Sequence, residues 1–184
     1  MPLLLVQSFV NTREADTGTD LLADDEEAAR VWLREAGLLE RVWEGLDRAE
    51  LRGLRESIRA LLVHHGGGPL PTDVDLHALV QAAEHCRVRP SVASGGVVNL
   101  EPAFDPADPA ATISARLLLV IHEAQRDGTW QRLKACRNDE CRWAYYDRAH
   151  AGRGAWCDMA VCGNRMKNRS LRARRSASTT GAPP

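Results

Sequence analysis

The 184-residue chain has no apolar run approaching the roughly eighteen residues that would cross a bilayer. Its first residues, MPLLLVQSFVNT, include an apolar patch but no basic segment, no long apolar stretch and no small-residue cleavage site, so they do not resemble a signal peptide. We therefore expect a cytoplasmic protein without a membrane partner. In that compartment five cysteines do not favour a disulfide framework, and metal binding becomes the better explanation for them.

The sequence also lacks internal repeats, and its net charge of -1 is the average of two opposite halves. Residues 1–131 contain 12 Lys and Arg against 21 Asp and Glu, whereas residues 132–184 contain 12 against 4. The length suits a medium domain followed by a small one. An acidic body joined to a basic end favours contact of that end with nucleic acid or another polyanion.

Residues 1–130 are predicted to form an α+β domain that is mainly helical with a small antiparallel sheet. Leu3–Val10 predicts a strand, because it is apolar and partly β-branched. Helices are expected at about 26–36, 44–64, 73–86 and 109–127, with Asp24 or Asp25, Thr72 and Asp108 as N-caps. The stretch RVRPSVASGGVVNLEP predicts a β-hairpin around Ser94-Gly95-Gly96, with its register left open.

Apolar residues at helical spacing predict which faces of these helices are buried. The predicted buried sets are Ala28, Trp32 and Ala36; Leu51, Leu54, Ile58 and Leu61; Leu76, Leu79, Val80 and Ala83; and Ile113, Leu117, Val120, Ile121 and Ala124. Cys86 is expected to be a small buried hydrophobe. Residues 176–184, SASTTGAPP, are small and polar and are predicted to be a disordered tail.

Four of the five cysteines form two close pairs, Cys136-x4-Cys141 and Cys157-x4-Cys162. Two short loops that each present two thiolates supply the ligands of a tetrahedral zinc ion. The sequence therefore predicts one structural Zn²⁺, because all four coordination positions are filled by protein. Metal binding would supply folding energy to a segment with few large apolar side chains. Free or buried thiols are the alternative, as is replacement of one cysteine by His150.

Residues 131–175 are predicted to form a treble-clef-like zinc finger. Trp143–Tyr146 is β-prone, and a helix is expected to begin at the last ligands. A cysteine knuckle, a hairpin and then a helix is the order found in treble-clef fingers. The aromatic residues of this segment are expected to form its small core, with stacking on bases as the alternative.

The helix after the last cysteine is strongly basic. Gly163 to Arg175 contains six basic residues and no acid, and Arg165, Arg169 and Arg172 share one helical face. Arginine favours bidentate contacts to phosphates or guanine edges, so DNA contact is predicted. The predicted basic contact residues are Arg142, Arg148, Arg153, Arg165, Lys167, Arg169, Arg172, Arg174 and Arg175. A tail that docks on the acidic body or only aids solubility, and an RNA- or ribosome-associated protein, remain as alternatives.

The C-terminal segment resembles the CGNR zinc finger, whose name-giving residues are here Cys162, Gly163, Asn164 and Arg165. The resemblance extends over CRNDECRWAYYDRAHAGRGAWCDMAVCGNRMKNRSLRARR. It implies that the four cysteines bind zinc in a treble clef that contacts DNA, with Asn164 among the contact residues. Where relatives often have Phe this chain has Tyr145-Tyr146, and where Ser often follows Asp-Arg it has Ala149; neither difference removes a ligand.

The N-terminal segment resembles the ABATE domain that usually accompanies this finger. The similarity is carried by Phe9-Val10-Asn11-Thr12 and by the Trp32-Leu33 helix that ends in Gly37-Leu38-Leu39. The family is regarded as bacterial, and its members are predicted to be stress-induced transcription regulators. The resemblance therefore implies a zinc-dependent DNA-binding regulator.

The sequence leaves open whether the body binds a small-molecule ligand or forms a homodimer. An enzyme is the remaining alternative, because some treble-clef proteins are nucleases. His150 with Asp147 is the only pair that could serve hydrolysis in the finger, and it is too small a set. We therefore expect no enzymatic activity and assign no catalytic residue.

Overall fold

The structure is a computed structural model and describes residues 2–39 and 46–179. Within these ranges the α-helices are α1 (Leu3–Val10), α2 (Leu21–Asp24), α3 (Glu26–Glu35), α4 (Arg48–His65), α5 (Asp73–His85), α6 (Pro109–Arg126) and α7 (Asn164–Thr179). The strands are β1 (Val88–Val92), β2 (Val98–Pro102), β3 (Leu133–Ala135) and β4 (Ala144–Tyr146). The described part of the chain is thus mainly helical with two small antiparallel sheets, which confirms the predicted fold class.

The N-terminal segment is helix α1, so the prediction of a strand at Leu3–Val10 is wrong. Its buried residues are Leu3, Val6, Phe9 and Val10. They recur at a spacing of three to four, which is helical, whereas a strand would bury alternate residues. Packing against α4 and α6 decides the conformation, because these side chains join the central hydrophobic core.

The predicted helix starts are largely confirmed by capping side chains. Asp25 accepts a hydrogen bond from the amide of Ala28 at the start of α3, and Asp108 accepts one from the amide of Ala111 at the start of α6. Thr72 and Asp75 form a reciprocal capping box at α5. Helix α4 begins at Arg48 after Asp47, while the expected start at Glu44 lies outside the described residues.

Helix α5 packs on α4 through small residues, which corrects its predicted buried face. Ala82 is buried, whereas Val80 is 53% exposed and Ala83 is also exposed. The two helices come so close that a Cβ added at Gly53 of α4 would lie 3.0 Å from the Cβ of Ala78. Small side chains therefore define this contact. The predicted faces of α4 and α6 are confirmed, with Leu61 and Val120 only partly buried.

Two further predictions of burial are corrected. The buried residues of α3 are Ala29 and Leu33, whereas Ala28, Trp32 and Ala36 are only partly buried, so the helix is rotated by about one residue from the predicted face. Cys86 follows the end of α5 and is partly exposed rather than buried.

The zinc-finger segment shares its first strand with the core of the body. Leu133 and Ala135 of β3 are buried in the same hydrophobic cluster as α1, α4 and α6, and β3 packs along α4. The expected order of knuckle and then hairpin needs correction, because β3 and β4 bracket the first cysteine pair. A π-helical turn, Met159–Gly163, then leads directly into α7.

Two further features of the fold bear on the sequence predictions. Helix α7 runs to Thr179, four residues into the segment expected to be a disordered tail, and 180–184 lie outside the described residues.

Across the described residues, no helix is long and apolar enough to cross a membrane.

Candidate metal centre and nucleic-acid interface

The four predicted ligands come together at one point between β3, β4 and the π-helical turn. The Sγ atoms of Cys136, Cys141, Cys157 and Cys162 all lie within 4.8 Å of one another. Cys141 and Cys157 are 3.7 Å apart at sulfur, and Cys157 and Cys162 are 3.8 Å apart. Four sulfurs placed 2.3 Å from a tetrahedral ion are about 3.8 Å apart. The donor set therefore fits one structural Zn²⁺.

The same distances exclude disulfides, whose sulfurs are bonded at about 2.05 Å. All five cysteines of the chain are unpaired thiols. Burial and the neighbouring thiols raise the pKa of Cys157, and burial with the charge of Cys136 raises the pKa of Cys141 to about 11. Burial alone would raise the pKa of Cys162, but hydrogen bonds from the other three thiols and from Asn138 lower it. The bare cluster thus favours a single thiolate, and a divalent cation is what would make several adjacent thiolates favourable.

The first knuckle is built by Asn138, a residue the sequence analysis missed. Asn138 is fully buried, and its backbone carbonyl accepts hydrogen bonds from the amides of Cys141 and Arg142. Its side-chain amide lies 3.9 Å from the sulfur of Cys162, while its Oδ1 accepts a bond from Glu140. Asn138 therefore closes the loop and also reaches a ligand of the opposite pair, as metal-site neighbours commonly do.

The CGNR residues have separate structural tasks. Cys162 supplies a sulfur, and a Cβ at Gly163 would collide with the side chain of Met159. The Asn164 side chain donates to the carbonyl of Ala160 at 3.0 Å and so holds the π-helical turn. Arg165 is exposed. The motif thus contains a zinc ligand, a glycine beside which no larger side chain fits without displacing Met159, an asparagine that bonds across the π-helical turn, and an exposed arginine.

The loop between β4 and the second cysteine pair is organised by Asp147. Its carboxylate accepts bonds from Lys134 Nζ at 2.8 Å and from the amides of Ala149 and Gly154. Burial alone would raise its pKa, but the bond from Lys134 and the two amides lower it. The Asp147 carboxylate therefore has a structural role, which is to hold this loop against β3. His150 is exposed and stands outside the cysteine cluster, so neither the histidine ligand nor the hydrolytic pair gains support.

The finger is joined to the body by side chains that reach across long sequence separations. Asn11 donates to the carbonyl of Ala144 at 2.9 Å and accepts from its amide at 2.7 Å. Arg59, buried in α4, donates to the carbonyl of Arg142 at 2.8 Å and to that of Val10 at 2.6 Å. These bonds tie the first knuckle and β4 to the end of α1.

The predicted DNA-contact residues occupy three positions. Arg142 is half-buried beside Asp139 and has a backbone φ of 51°, so it is part of the knuckle itself. Arg148 and Arg153 are exposed on the loop after β4. Asn164 and the basic residues of α7 are exposed, namely Arg165, Lys167, Arg169, Arg172, Arg174 and Arg175.

Helix α7 has no buried residue between Asn164 and Arg175, and its packing contacts are made with the π-helical turn. Arg165, Asn168, Arg169 and Arg172 line a shallow groove of about 360 Å³ together with Glu140. Arg169 pairs with Glu140 at 3.0 Å, an exposed contact within the finger. Arg165 and Arg169 are thus exposed on the surface of the finger itself.

A second groove, of about 440 Å³, lies at the junction of body and finger. Its lining includes Arg13, Glu56, Arg59, Leu70 and Arg142. It contains both cationic and anionic side chains, and Glu56 forms ion pairs with both Arg13 and Arg59. A small-molecule ligand of the body stays a prediction.

Comparison with known families agrees with this architecture. Residues 4–134 match the ABATE family, described as "Putative stress-induced transcription regulator", and residues 132–175 match the family described as "CGNR zinc finger". Both descriptions are of a non-enzymatic kind. No curated protein matches the chain. The two matched ranges overlap at residues 132–134, where β3 begins, in agreement with a strand that serves both units.

Proposed function

The chain belongs to the ABATE family and carries a CGNR zinc finger, and from that premise we propose that it is a DNA-binding transcription regulator. The observation that carries the proposal is the exposed basic face of α7, which begins two residues after the last zinc ligand, Cys162. Zinc fixes the first turn of the helix, and the arginines that follow are displayed to solvent. The protein would bind nucleic acid rather than cleave it.

Electrostatics supports a polyanion as the partner. The segment from 132 onward has three times as many basic as acidic residues, and Asp147 among its four acids is buried against Lys134. When a basic helix binds DNA, its cationic side chains displace the counterions condensed on the phosphates, and the release of these ions favours binding. Arg148 and Arg153 would extend the same surface beyond α7.

Duplex DNA is preferred over RNA because a single exposed helix fits the major groove of B-form DNA. The deep, narrow major groove of RNA does not admit such a helix. Base recognition would come from the Arg165 and Arg169 face, where guanidinium groups can bind guanine edges. The remaining basic residues would contact phosphates.

The test is a fluorescence-anisotropy titration of the zinc-loaded full chain with labelled genomic duplexes at several salt concentrations. We expect the double variant Arg148→Gln/Lys167→Gln, which removes two of the charges assigned to phosphates, to reduce the magnitude of the slope of log K against log salt by about 1 to 2. A matched control, Arg34→Gln/Arg126→Gln, removes the same charge from exposed positions of the body and should leave the slope unchanged.

Three outcomes would contradict the proposal. Absence of salt-dependent binding at low ionic strength would remove DNA as the partner. Stronger competition by structured RNA than by duplex DNA would favour the RNA-associated alternative. Cleavage of DNA in the presence of magnesium or manganese would show an enzyme.

A further inference from the structure

The hairpin formed by β1 and β2 has one wholly apolar face. Directly opposed residues of an antiparallel pair point to the same side. The pairs Val88 with Pro102, Pro90 with Leu100 and Val92 with Val98 lie on one side, which we call the hairpin face. The pairs Arg89 with Glu101 and Ser91 with Asn99 lie on the other side. Polar and apolar residues are thus fully separated.

The hairpin face points away from the body. Its residues Val92, Val98 and Leu100 are 70%, 66% and 52% exposed. The opposite, polar side turns toward α6, since Arg89 and Glu101 line a cavity of about 470 Å³ with Thr112 and Arg116 of that helix. A sheet that covers a core on one side normally buries its apolar side. This hairpin has the reverse orientation.

The polar side satisfies its own groups. Arg89 pairs with Glu101 at 3.3 Å, and Ser91 donates to Glu101 at 2.7 Å. The pair leaves no net charge on the hairpin, and the hairpin face itself carries none. Nucleic acid and strongly charged protein surfaces are therefore poor occupants of this face, whereas a second neutral apolar surface is a good one.

Further strands are not the expected occupants. The amides of Ala93 and Ala103 donate to Val97 and Arg87, so the backbone groups of the alternate residues 88, 90, 92, 98, 100 and 102 point outward from the hairpin. Two of these positions are Pro90 and Pro102, which have no amide to donate. Proline at outward positions discourages edge-to-edge pairing. Contact through the hairpin face is favoured instead.

The exposed apolar area of the hairpin face supplies most, though not all, of the apolar area that one partner contributes to a twofold dimer. A buried aliphatic side chain removes roughly 100 Å² from water, so the six side chains of the hairpin face expose on the order of 300 Å² in each copy. One partner of a standard interface contributes about 450 Å² of apolar area. Two hairpin faces packed on each other would supply about two-thirds of that requirement, and contacts at the rim would add the rest.

We propose that the hairpin face is the interface of a homodimer, in which two copies pack these faces together about a twofold axis. The interface is isologous, so Val92, Val98 and Leu100 of one copy meet the same residues of the other. Two-stranded hairpins are only marginally stable alone, and the second copy would also stabilise this one. The proposal does not depend on what α7 binds.

The test measures the oligomeric state of the zinc-loaded full chain by sedimentation equilibrium. We expect a dimer, and we expect Val98→Lys to raise the dimer dissociation constant by at least about tenfold, because a charge is buried in the interface. Asn99→Lys is the matched control. It adds the same charge one residue away on the polar side and should leave the constant within about threefold.

A second measurement uses the unaltered chain. Amide hydrogen exchange at Ser91 and Asn99, which pair by backbone hydrogen bonds within the hairpin, should slow as the protein concentration rises through the dissociation constant, because the second copy stabilises the hairpin; exchange in α7 should not change. A wild-type chain that stays monomeric at about 100 μM would overturn the proposal, since a specific interface binds below that concentration. Equal effects of Val98→Lys and Asn99→Lys would also overturn it. Binding of the monomer to zwitterionic lipid vesicles, abolished by Val98→Lys, would assign the face to lipid instead.

Discussion

At the residue scale, the four zinc-binding cysteines could be predicted from the sequence, but most of the residues that hold their loops in place could not. Four cysteines at paired spacing specify the chemistry of zinc binding without further information. Asn11 and Arg59 bond to partners 133 and 83 residues away, so no local pattern reveals them. Asn138 is the exception, because it lies between the two cysteines of the first pair, and an asparagine in so short a loop is a turn-forming signal that is visible in the sequence.

A buried ion pair next to Thr12 also could not be predicted from any local pattern of the sequence. Arg55 is 2% exposed at its side chain, and its two terminal nitrogens each bind one oxygen of Asp20 at 2.7 Å. Burial alone would raise the pKa of Asp20, but the hydrogen bond and charge of Arg55 outweigh burial and hold that pKa below the ordinary value of an aspartate. The pair links the loop after α1 to α4.

We expect Asp20→Asn to lower the free energy of unfolding by about 2–4 kcal/mol at pH 7, because Arg55 would keep only Glu56 as an ionic partner. A folded-state pKa below the unfolded one means that the contribution is complete above the unfolded pKa and is lost as the pH falls through the folded pKa. Urea unfolding from pH 7 to pH 3 measures it. The wild type and the variant should converge only at the acid end.

The control for this measurement is Asp16→Asn, at an exposed position of the same loop. It should follow the wild type within about 0.5 kcal/mol throughout. A difference between the wild type and Asp20→Asn that does not change with pH would contradict the ionic explanation.

At the scale of elements, most helices followed from caps and periodicity, and the exceptions have identifiable causes. Helix α1 was mistaken for a strand because its apolar content outweighed its spacing, although Leu3, Val6 and Val10 already fit a helix. The buried side of α5 was misassigned because the contact with α4 uses small residues, which a search for large apolar side chains overlooks. Both errors concern tertiary packing.

The junction between α1 and β4 provides a prediction at this scale. We expect Asn11→Ala to destabilise the chain by about 2–3 kcal/mol, because the fully buried Ala144 would lose partners for both its amide and its carbonyl. Loosening of β4 should also raise the rate of zinc transfer to a chromogenic chelator by at least about tenfold. Urea unfolding and stopped-flow absorbance measure the two effects.

Gln7→Ala, on the same helix, is the matched control and should change neither quantity appreciably. Loss of stability by Asn11→Ala with an unchanged rate of zinc transfer would show that α1 does not support the metal centre.

At the scale of the whole molecule, the body and the finger share one hydrophobic core. Strand β3 places Leu133 and Ala135 in the core of the body and continues directly into the first ligand, Cys136. Nearby, His65 bonds to the carbonyl of Leu133 at 2.8 Å and packs edge-on against the buried ring of Trp130. The charge division between the halves could be predicted from the sequence, but this physical union could not.

Removal of zinc should therefore affect the entire chain. We expect chelation to lower the melting temperature by at least about 10 °C while the unfolding remains a single transition, because the metal stabilises the folded state of both units. Calorimetry with and without chelator checks this, and one equivalent of zinc should restore the original curve. A body transition at the same temperature in both samples would show that the finger folds independently.

The attachment of α7 at one end has a mechanical consequence. A helix of 16 residues is about 24 Å long, and this one is anchored where it leaves the π-helical turn at Gly163. A rotation of about 10° at that anchor sweeps the far end through about 4 Å. Because Cys162 lies in that turn, small displacements of the cysteine sulfurs would tilt the helix and move its far end by distances comparable to the spacing of successive base pairs.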